Sequence, residues 1–179
     1  MGLILPVQGV LPVWGQNCFI APNATLCGDV VLGDRCTVWF QAVLRGDVNC
    51  IRIGDDTNIQ DGAILHGTYR KADTRIGSRV SVGHRAIIHG CTVEDEVLVG
   101  MGAILLDHCV VSKGCLVAAG AVVPERMVLR EGYLYAGVPA REIKPVTDAQ
   151  RETILRTSVR YPEYATWIGS STPAEHLPD

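Results

Sequence analysis

A six-residue repeat constrains this chain more than any other feature of its sequence. From Ile20 onward an apolar residue returns at nearly every sixth position, and in several units glycine follows it. Three such hexapeptides build one triangular coil of about eighteen residues, with a short strand on each side. The repeat therefore predicts an all-β fold, a parallel β-helix. The units open at Ile20, Leu26, Leu32, Val38, Leu44, Ile53, Ile59, Leu65, Ile76, Val82, Ile88, Val93, Val99, Leu105, Val111, Val117 and Val123.

Two long steps interrupt this period. The step from Leu44 to Ile53 is nine residues, and the step from Leu65 to Ile76 is eleven. We expect the extra residues to form surface loops at 50–52 and 68–73. Residues 1–19 are punctuated by proline and glycine, so they are predicted to supply an initial strand or hairpin.

The C-terminal part reads differently. The repeat is expected to end after Pro124, and 125–146 to cross the outside of the prism irregularly. Thr147 begins a predicted helix, because Thr-Asp-Ala-Gln is a capping box. Ile154, Leu155, Val159 and Tyr161 form its expected apolar stripe, which Pro162 interrupts.

These patterns divide the chain into three parts. The β-helix domain, with its lead-in and exit loop, is predicted to span 1–146. The helix, 147–168, is expected to pack on it, and 169–179 form a tail.

Composition excludes several classes of function. A net charge of −3 without a basic cluster argues against nucleic-acid binding. No apolar run approaches the roughly 20 residues of a membrane span, and the start resembles no signal peptide. Seven cysteines without a C-x-x-C pair are typical of small, reduced core residues. We therefore expect a cytoplasmic protein.

Three of the five histidines fall within residues 58–89 of the repeat. His66 and His89 follow equivalent apolar residues one rung apart, where strands lie about 4.8 Å from each other. Two imidazoles at that spacing can share a metal with nitrogen distances of about 2.0–2.1 Å. His84 lies on the preceding side of its coil, so a symmetric oligomer is needed to bring it to a neighbour's pair. Three histidines and one open position are the pattern of a catalytic zinc site.

Several motifs resemble the gamma-class carbonic anhydrase family over nearly the whole chain. The resemblance implies a left-handed β-helix homotrimer with a C-terminal helix, a hand that the spacing leaves open. It also implies that His66 and His89 of one subunit and His84 of a neighbour bind Zn²⁺, or alternatively Fe²⁺ or Co²⁺. The motifs are LRGDVN at 44–49, NIQDG at 58–62, LHG at 65–67, VGHRAIIHG at 82–90 and YAGVPAR at 135–141.

The same resemblance assigns roles around the metal. Gln60 would orient the metal-bound water, and Asn58 would position that water or the substrate. Tyr135 would place a hydroxyl near the metal. Salt bridges across subunits beside the site would involve Arg45, Asp47 and Asp61.

Each of these assignments has an alternative. Gln60 and Asn58 could form a polar ladder on the coil surface, and Tyr135 could serve packing alone. Arg45-Gly46-Asp47 could be a coil corner. His108 and His176 are interpreted as ordinary polar residues.

The sequence departs from the family's pattern at two places. Val48 stands where the prototype has a proton-transfer glutamate after its Arg-x-Asp motif. The segment at 68–82, between His66 and His84, is short and basic, where the prototype carries an acidic loop with a shuttle glutamate. Metal binding is expected to survive both changes, whereas rapid proton transfer is left open.

The resulting prediction is a zinc-dependent lyase resembling carbonate dehydratase, in which metal-bound hydroxide attacks carbon dioxide to give bicarbonate. Two other classes stay open. The first is a coenzyme A thioesterase or acyltransferase acting on an acyl thioester, because fold does not determine function. The second is a non-catalytic metal-binding protein.

Overall fold

The computed structural model describes residues 2–168; the predicted tail at 169–179 and His176 lie outside the described residues. The chain winds into a parallel β-helix of about seven coils, and a C-terminal helix follows. Each coil contributes one strand to each of three faces. We number strands in chain order, and call the edges of the prism corners 1–2, 2–3 and 3–1.

Faces 1 and 2 belong to one sheet, because two long strands bend across corner 1–2. Face 1 contains Leu3–Leu5 (β1), the first halves of Thr25–Leu32 (β4) and Val43–Ile53 (β6), Ile64–His66 (β8), Ile87–His89 (β11), Ile104–Leu105 (β14) and Val122–Val123 (β17). Face 2 contains Val13–Trp14 (β2), the second halves of β4 and β6, Thr74–Ile76 (β9), Thr92–Val93 (β12), Val110–Val111 (β15) and Val128–Leu129 (β18).

Face 3 is a separate sheet. It contains Phe19–Ile20 (β3), Thr37–Val38 (β5), Asn58–Ile59 (β7), Ser81–Val82 (β10), Leu98–Val99 (β13), Leu116–Val117 (β16) and Tyr133–Ala136 (β19). A last strand, Arg141–Pro145 (β20), turns back and pairs with β19 in antiparallel orientation.

The predicted period is confirmed by burial. Every predicted unit-opening residue except Ile20 is at most 5% exposed, and these side chains fill the prism. Each except Val123 pairs in register with its equivalent in the next coil, as Leu65 does with Ile88 and Ile88 with Leu105. The interior is therefore a stack of aliphatic layers, and outward side chains carry the function.

The corners depend on residues in the left-handed region. Arg85 has a φ of 57°, and the amide of Ala86 donates to the carbonyl of Gly83 at 3.1 Å. At corner 2–3 the turns of neighbouring coils are joined by side chains. For example, the amide of Asp34 donates to Asp55 Oδ1 at 2.9 Å.

The predicted loop at 50–52 is wrong. Ile51 is fully buried and pairs with Thr74, so these residues belong to β6. The register of β4 and β6 instead shifts between Gly28 and Val30, which face Gly46 and Ile51. The additional residues therefore bulge at 47–50, on corner 1–2. The loop at 68–73 is present between β8 and β9, as predicted.

The lead-in also behaves as predicted. β1 and β2 both pair with β4, and an antiparallel bridge joins Val7 and Val10 between them. All three chain extensions, at 6–12, 47–50 and 67–73, thus fall on the same corner 1–2.

The prediction that the repeat ends at Pro124 is also wrong. Leu129 and Tyr135 continue the six-residue step, and both side chains are buried in the last coil. Pro124 is tolerated because it opens a corner turn, in which Arg126 has a φ of 60° and the amide of Met127 donates to the Pro124 carbonyl. A proline in the first part of such a turn needs no amide hydrogen.

The C-terminal helix, Asp148–Trp167 (α1), begins with the predicted capping box. The Gln150 amide donates to Thr147 Oγ1 at 3.3 Å, and the Thr147 amide donates to Gln150 Oε1 at 3.0 Å. The helix continues through Pro162 to Trp167, close to the predicted span of 147–168. Among residues 2–168 no helix combines the length and apolar character needed to cross a membrane.

Helix α1 lies on β5, β7 and β10 of face 3. Its buried face is formed by Ile154 and Ser158, and the Tyr161 ring packs against Trp39 with centroids 5.3 Å apart. Leu155 and Val159 are exposed, so their part of the predicted stripe is wrong. The contacting residues are spaced four and three apart, which places them on one face of the helix.

Candidate metal centre

The two strands β8 and β11 end in histidines that lie side by side. His66 and His89 are paired in register on adjacent rungs of face 1, at corner 1–2. The His66 Nδ1 atom lies 3.2 Å from the His89 Nε2 atom. The predicted convergence of these two side chains is therefore present in the structure.

The distance between these nitrogens suits a shared metal ion. Two ligands at 2.0–2.1 Å from a tetrahedral ion are about 3.3 Å apart, close to the 3.2 Å between His66 and His89. The pair can thus accept an ion with little rearrangement.

A carboxylate holds the other nitrogen of each ring. Asp47 Oδ1 lies 3.1 Å from His66 Nε2, and Asp107 Oδ1 lies 2.6 Å from His89 Nδ1. Metal-binding histidines commonly have such partners, which orient the ring and leave the lone pair of the opposite nitrogen available. The donor set therefore fits a divalent metal such as zinc.

The electrostatic surroundings favour a neutral His66 ring and ionised Asp47 and Asp107 carboxylates, the protonation states that suit metal binding. Burial, together with the Arg45 charge, lowers the pKa of His66, which favours a neutral imidazole. Burial alone would raise the pKa of Asp47 and of Asp107. Hydrogen bonds outweigh that effect, so both carboxyl pKa values lie below their usual range.

Asp107 was missed by sequence reasoning. It stands eighteen residues after His89 and occupies the same corner one coil further on. Its second oxygen, Oδ2, accepts a hydrogen bond from Thr68 Oγ1, which ties the 67–73 loop to the site. The one-coil offset from His89 was the signal that could have identified it.

His84 lies at the opposite edge of face 1. It occupies the Gly83–Ala86 turn at corner 3–1, and its side chain is 38% exposed. Asp61, at the same corner one coil earlier, lies 2.8 Å from its Nδ1. Within residues 2–168 no group of three or more histidine, cysteine or acidic side chains could hold a metal ion. A single chain thus brings His66 and His89 together and leaves His84 apart from them.

Arg45 and Asp47 form an ion pair within the chain. The Arg45 Nη1 atom donates to Asp47 Oδ2 at 2.6 Å, while Nη2 lies 3.3 Å from His66 Nδ1. Gly46 between them is required, because a Cβ there would lie 2.6 Å from the Asp29 carbonyl oxygen. The salt bridges across subunits that were predicted for Arg45, Asp47 and Asp61 stay predictions.

Asn58 and Gln60 form a buried chain of hydrogen bonds that ends at His84. The His84 amide donates to Gln60 Oε1 at 3.2 Å, Gln60 Nε2 donates to Asn58 Oδ1 at 3.0 Å, and Asn58 Nδ2 donates to Ser81 Oγ at 2.9 Å. The His84 amide can only donate, so it determines the orientation of both side-chain amides. These hydrogen bonds connect both predicted residues, Asn58 and Gln60, to His84.

Tyr135 is not brought to this group. Its ring is buried in the last coil, three rungs beyond Val82 on face 3. Its hydroxyl accepts from the Arg130 amide at 2.9 Å and donates to Glu142 Oε2 at 3.0 Å. Within this chain the Tyr135 side chain therefore serves packing, which is the alternative to a position near the metal.

Comparison with known families gives the class of protein. A model described as "Bacterial transferase hexapeptide (six repeats)" matches residues 15–46, and one described as "Hexapeptide repeat of succinyl-transferase" matches 73–107. With the seven coils, these matches define a hexapeptide-repeat, left-handed β-helix protein. A solved "hexapeptide transferase family protein" from Anaplasma phagocytophilum has 35% identity and a TM-score of 0.88, covering 92% of this chain and 97% of that one.

Relatives that match most of this chain narrow the class to a family. A Methanocaldococcus jannaschii protein named "Probable carbonic anhydrase" is 49% identical over 146 residues, which span 82% of this chain and 91% of that protein. "Gamma carbonic anhydrase 1, mitochondrial" from Arabidopsis thaliana is 41% identical over 159 residues, 86% of this chain and 58% of that protein. The chain belongs to the gamma-class carbonic anhydrase family.

Proposed function

We propose that this protein is a zinc-dependent enzyme that hydrates carbon dioxide to bicarbonate. The observation that carries the proposal is the pair of imidazole nitrogens 3.2 Å apart on His66 and His89, each ring backed by an aspartate. The carbonic anhydrase relatives support the same chemistry. When bound, zinc supplies Lewis-acid activation of water near neutral pH; Fe²⁺ or Co²⁺ suits the same ligands.

The third ligand is His84 of a second copy in a homotrimer. Face 1 lies between the corner that carries His84 and the corner that carries His66 and His89. Three copies that turn face 1 toward a common axis place one copy's His84 corner against the next copy's corner 1–2. Such head-to-tail contacts close into a ring.

The outward side chains of face 1 favour this assembly. They form an apolar column that the single chain leaves partly or largely exposed, and Ile64 is 41% exposed. The column comprises Val43, Ile64, Ile87, Ile104 and Val122, paired rung by rung. Burial of a contiguous apolar strip between copies is the principal driving force for such an association.

In this trimer Gln60 would reach the metal site from the subunit that supplies His84. Its Nε2 group has two hydrogens, and Asn58 accepts only one of them. The second can donate to a water or substrate oxygen, while Oε1 holds the His84 amide. Asn58 and Ser81 keep the Gln60 amide in this orientation, so the chain of hydrogen bonds positions both ligand and substrate.

A second function is favoured by the cavity beside His84. The cavity, of about 360 Å³, lies between face 3 and α1 and is lined mainly by apolar side chains that include Leu98, Met101 and Leu116. It is far larger than carbon dioxide needs, and its polar edge is formed by Gln60 and His84. An acyl thioester could place its acyl group there, so hydrolysis of such esters is the alternative activity.

Activity measurements on metal-loaded protein distinguish the two. Purified protein is analysed for bound metal, then assayed by stopped-flow carbon dioxide hydration and with a panel of coenzyme A esters. We expect zinc and hydration activity, both lost in His84→Ala. Ester hydrolysis without hydration would replace the first proposal with the second, and metal-free, inactive protein would refute both.

A further inference from the structure

Two pairs of cysteines are stacked one coil apart, each pair separated by eighteen positions. The amide of Phe19 donates to the Cys36 carbonyl at 2.9 Å, which places Cys18 and Cys36 on adjacent rungs. Neighbouring strands lie about 4.8 Å apart. That spacing falls within the roughly 4.4–6.8 Å that a disulfide requires between Cα atoms. Cys91 and Cys109 are stacked in the same way.

The two pairs differ in access to solvent. Cys18 lies in the first coil at corner 2–3 and is partly exposed, whereas Cys36, at the same corner of the second coil, is buried. A cavity of about 250 Å³, lined by Trp14, Phe19 and Ile20, lies beside the Cys18 thiol. In the second pair both residues are at most 2% exposed. Only the first pair is open to a small oxidant.

The pairs differ in acidity as well. The neighbouring Cys36 thiol outweighs the effect of burial and lowers the pKa of Cys18 to about 7, while Cys18 and burial raise the pKa of Cys36. In the second pair the hydrogen bond with Cys109, together with burial, raises the pKa of Cys91. Because the thiolate is the reactive form, Cys18 has the larger reactive fraction at neutral pH.

We propose that Cys18 and Cys36 form a redox-active pair that peroxide oxidises to a disulfide within the chain. The Cys18 thiolate attacks one oxygen of hydrogen peroxide, the O–O bond breaks, and the departing hydroxide takes up a proton to leave as water. The resulting sulfenic acid is attacked by the Cys36 sulfur. The S–O bond breaks, and the Cys36 proton leaves with the hydroxyl group as a second water.

The disulfide would join the first coil to the second. Among the described residues the first coil pairs with one other coil, so a covalent link to that coil would stabilise it. The pair lies at corner 2–3, whereas the three histidines lie at corners 1–2 and 3–1. The proposal is thus independent of the metal centre.

Peptide mapping tests the pair directly. The folded protein is treated with a small excess of hydrogen peroxide, alkylated in denaturant and digested with trypsin. Cleavage after Arg35 separates peptide 1–35, which carries Cys18 and Cys27, from peptide 36–45, which carries Cys36. We expect these two peptides to be cross-linked, with Cys91 and Cys109 still alkylated.

Cysteine variants identify which two sulfur atoms form the cross-link. The cross-link should persist in Cys27→Ser and in the matched control Cys91→Ser, and disappear in Cys18→Ser. In Cys36→Ser, Cys18 should accumulate as a sulfenic acid that dimedone traps. Cross-linking through Cys27, links only between chains, or oxidation of Cys91 as fast as Cys18 would overturn the proposal. So would a Cys18 that stays reduced at peroxide levels that oxidise glutathione.

Discussion

The carboxylate of Asp107 lies 2.6 Å from His89 Nδ1 and belongs to the coil that follows that histidine. Asp107 therefore orients the His89 ring, which faces His66, from the next coil. Removing this carboxylate should change metal affinity without altering the set of ligands.

Asp107→Asn is expected to weaken zinc binding about 10- to 100-fold, the usual effect of losing such a partner. Competition with a chelator of known affinity measures this change. The control is Asp95→Asn, since Asp95 caps the Ser78 amide at corner 2–3. Equal affinity in the Asp107 variant and the wild type would remove Asp107 from the site.

Mixed oligomers test whether the metal is shared. His84→Ala and His66→Ala should each abolish zinc binding when prepared alone. After unfolding and refolding together in equal amounts, about a quarter of the sites should bind zinc, because a site then needs one chain of each kind in the correct order. Metal analysis measures the recovery. A mixture that stays metal-free would exclude a site between chains.

The apolar column of face 1 predicts the response of the assembly to charge. Ile64→Arg should produce monomers that keep their fold and lose zinc, because a charge would be buried at the interface. Val128, at 65% exposure on face 2, provides the control Val128→Arg. Light scattering after size-exclusion chromatography gives the mass. Trimeric Ile64→Arg protein would assign face 1 another role.

Val48 predicts that proton transfer depends on the buffer. Val48 lines a cavity of about 420 Å³ beside Asp47 and offers no titratable group. Hydration should therefore accelerate with imidazole concentration, and Val48→Glu should raise the rate about tenfold at low buffer. Val48→Gln controls for size and polarity. A rate that is high and independent of buffer would indicate another proton path in the wild type.

Tyr135→Phe distinguishes packing from catalysis. Loss of the hydroxyl removes the hydrogen bonds with the Arg130 amide and Glu142, and should lower the free energy of unfolding by about 1–2 kcal/mol. Zinc content and kcat should not change. Urea unfolding measures the first effect and stopped-flow hydration the second. A large fall in kcat with unchanged stability would return Tyr135 to the active site.

Periodicity made most of the fold predictable. An inward residue such as Leu65 must be apolar in every coil, so the pattern reveals coils, faces and the register of His66 with His89. The corners were harder to predict. A bulge can absorb extra residues within a strand, as at 47–50, and a proline such as Pro124 suits a turn as well as an ending.

The site was predictable only where its residues occupy equivalent positions in successive coils. The pairing of His66 with His89 follows from register alone, whereas the path from Ser81 to the His84 amide depends on side-chain orientation. His84 itself stands apart because its partners belong to another copy under the proposed assembly. No arrangement of one chain could show that contact.

The placement of all three extensions on corner 1–2 has a wider consequence. Each coil contacts only its neighbours, so residues can be inserted or removed at that edge without disturbing the stacked layers. The rim around His66 and His89 can thus diverge between species while the two histidines stay in register. Differences in what such proteins accept should therefore be sought in these segments, since the frame beneath them leaves little room for change.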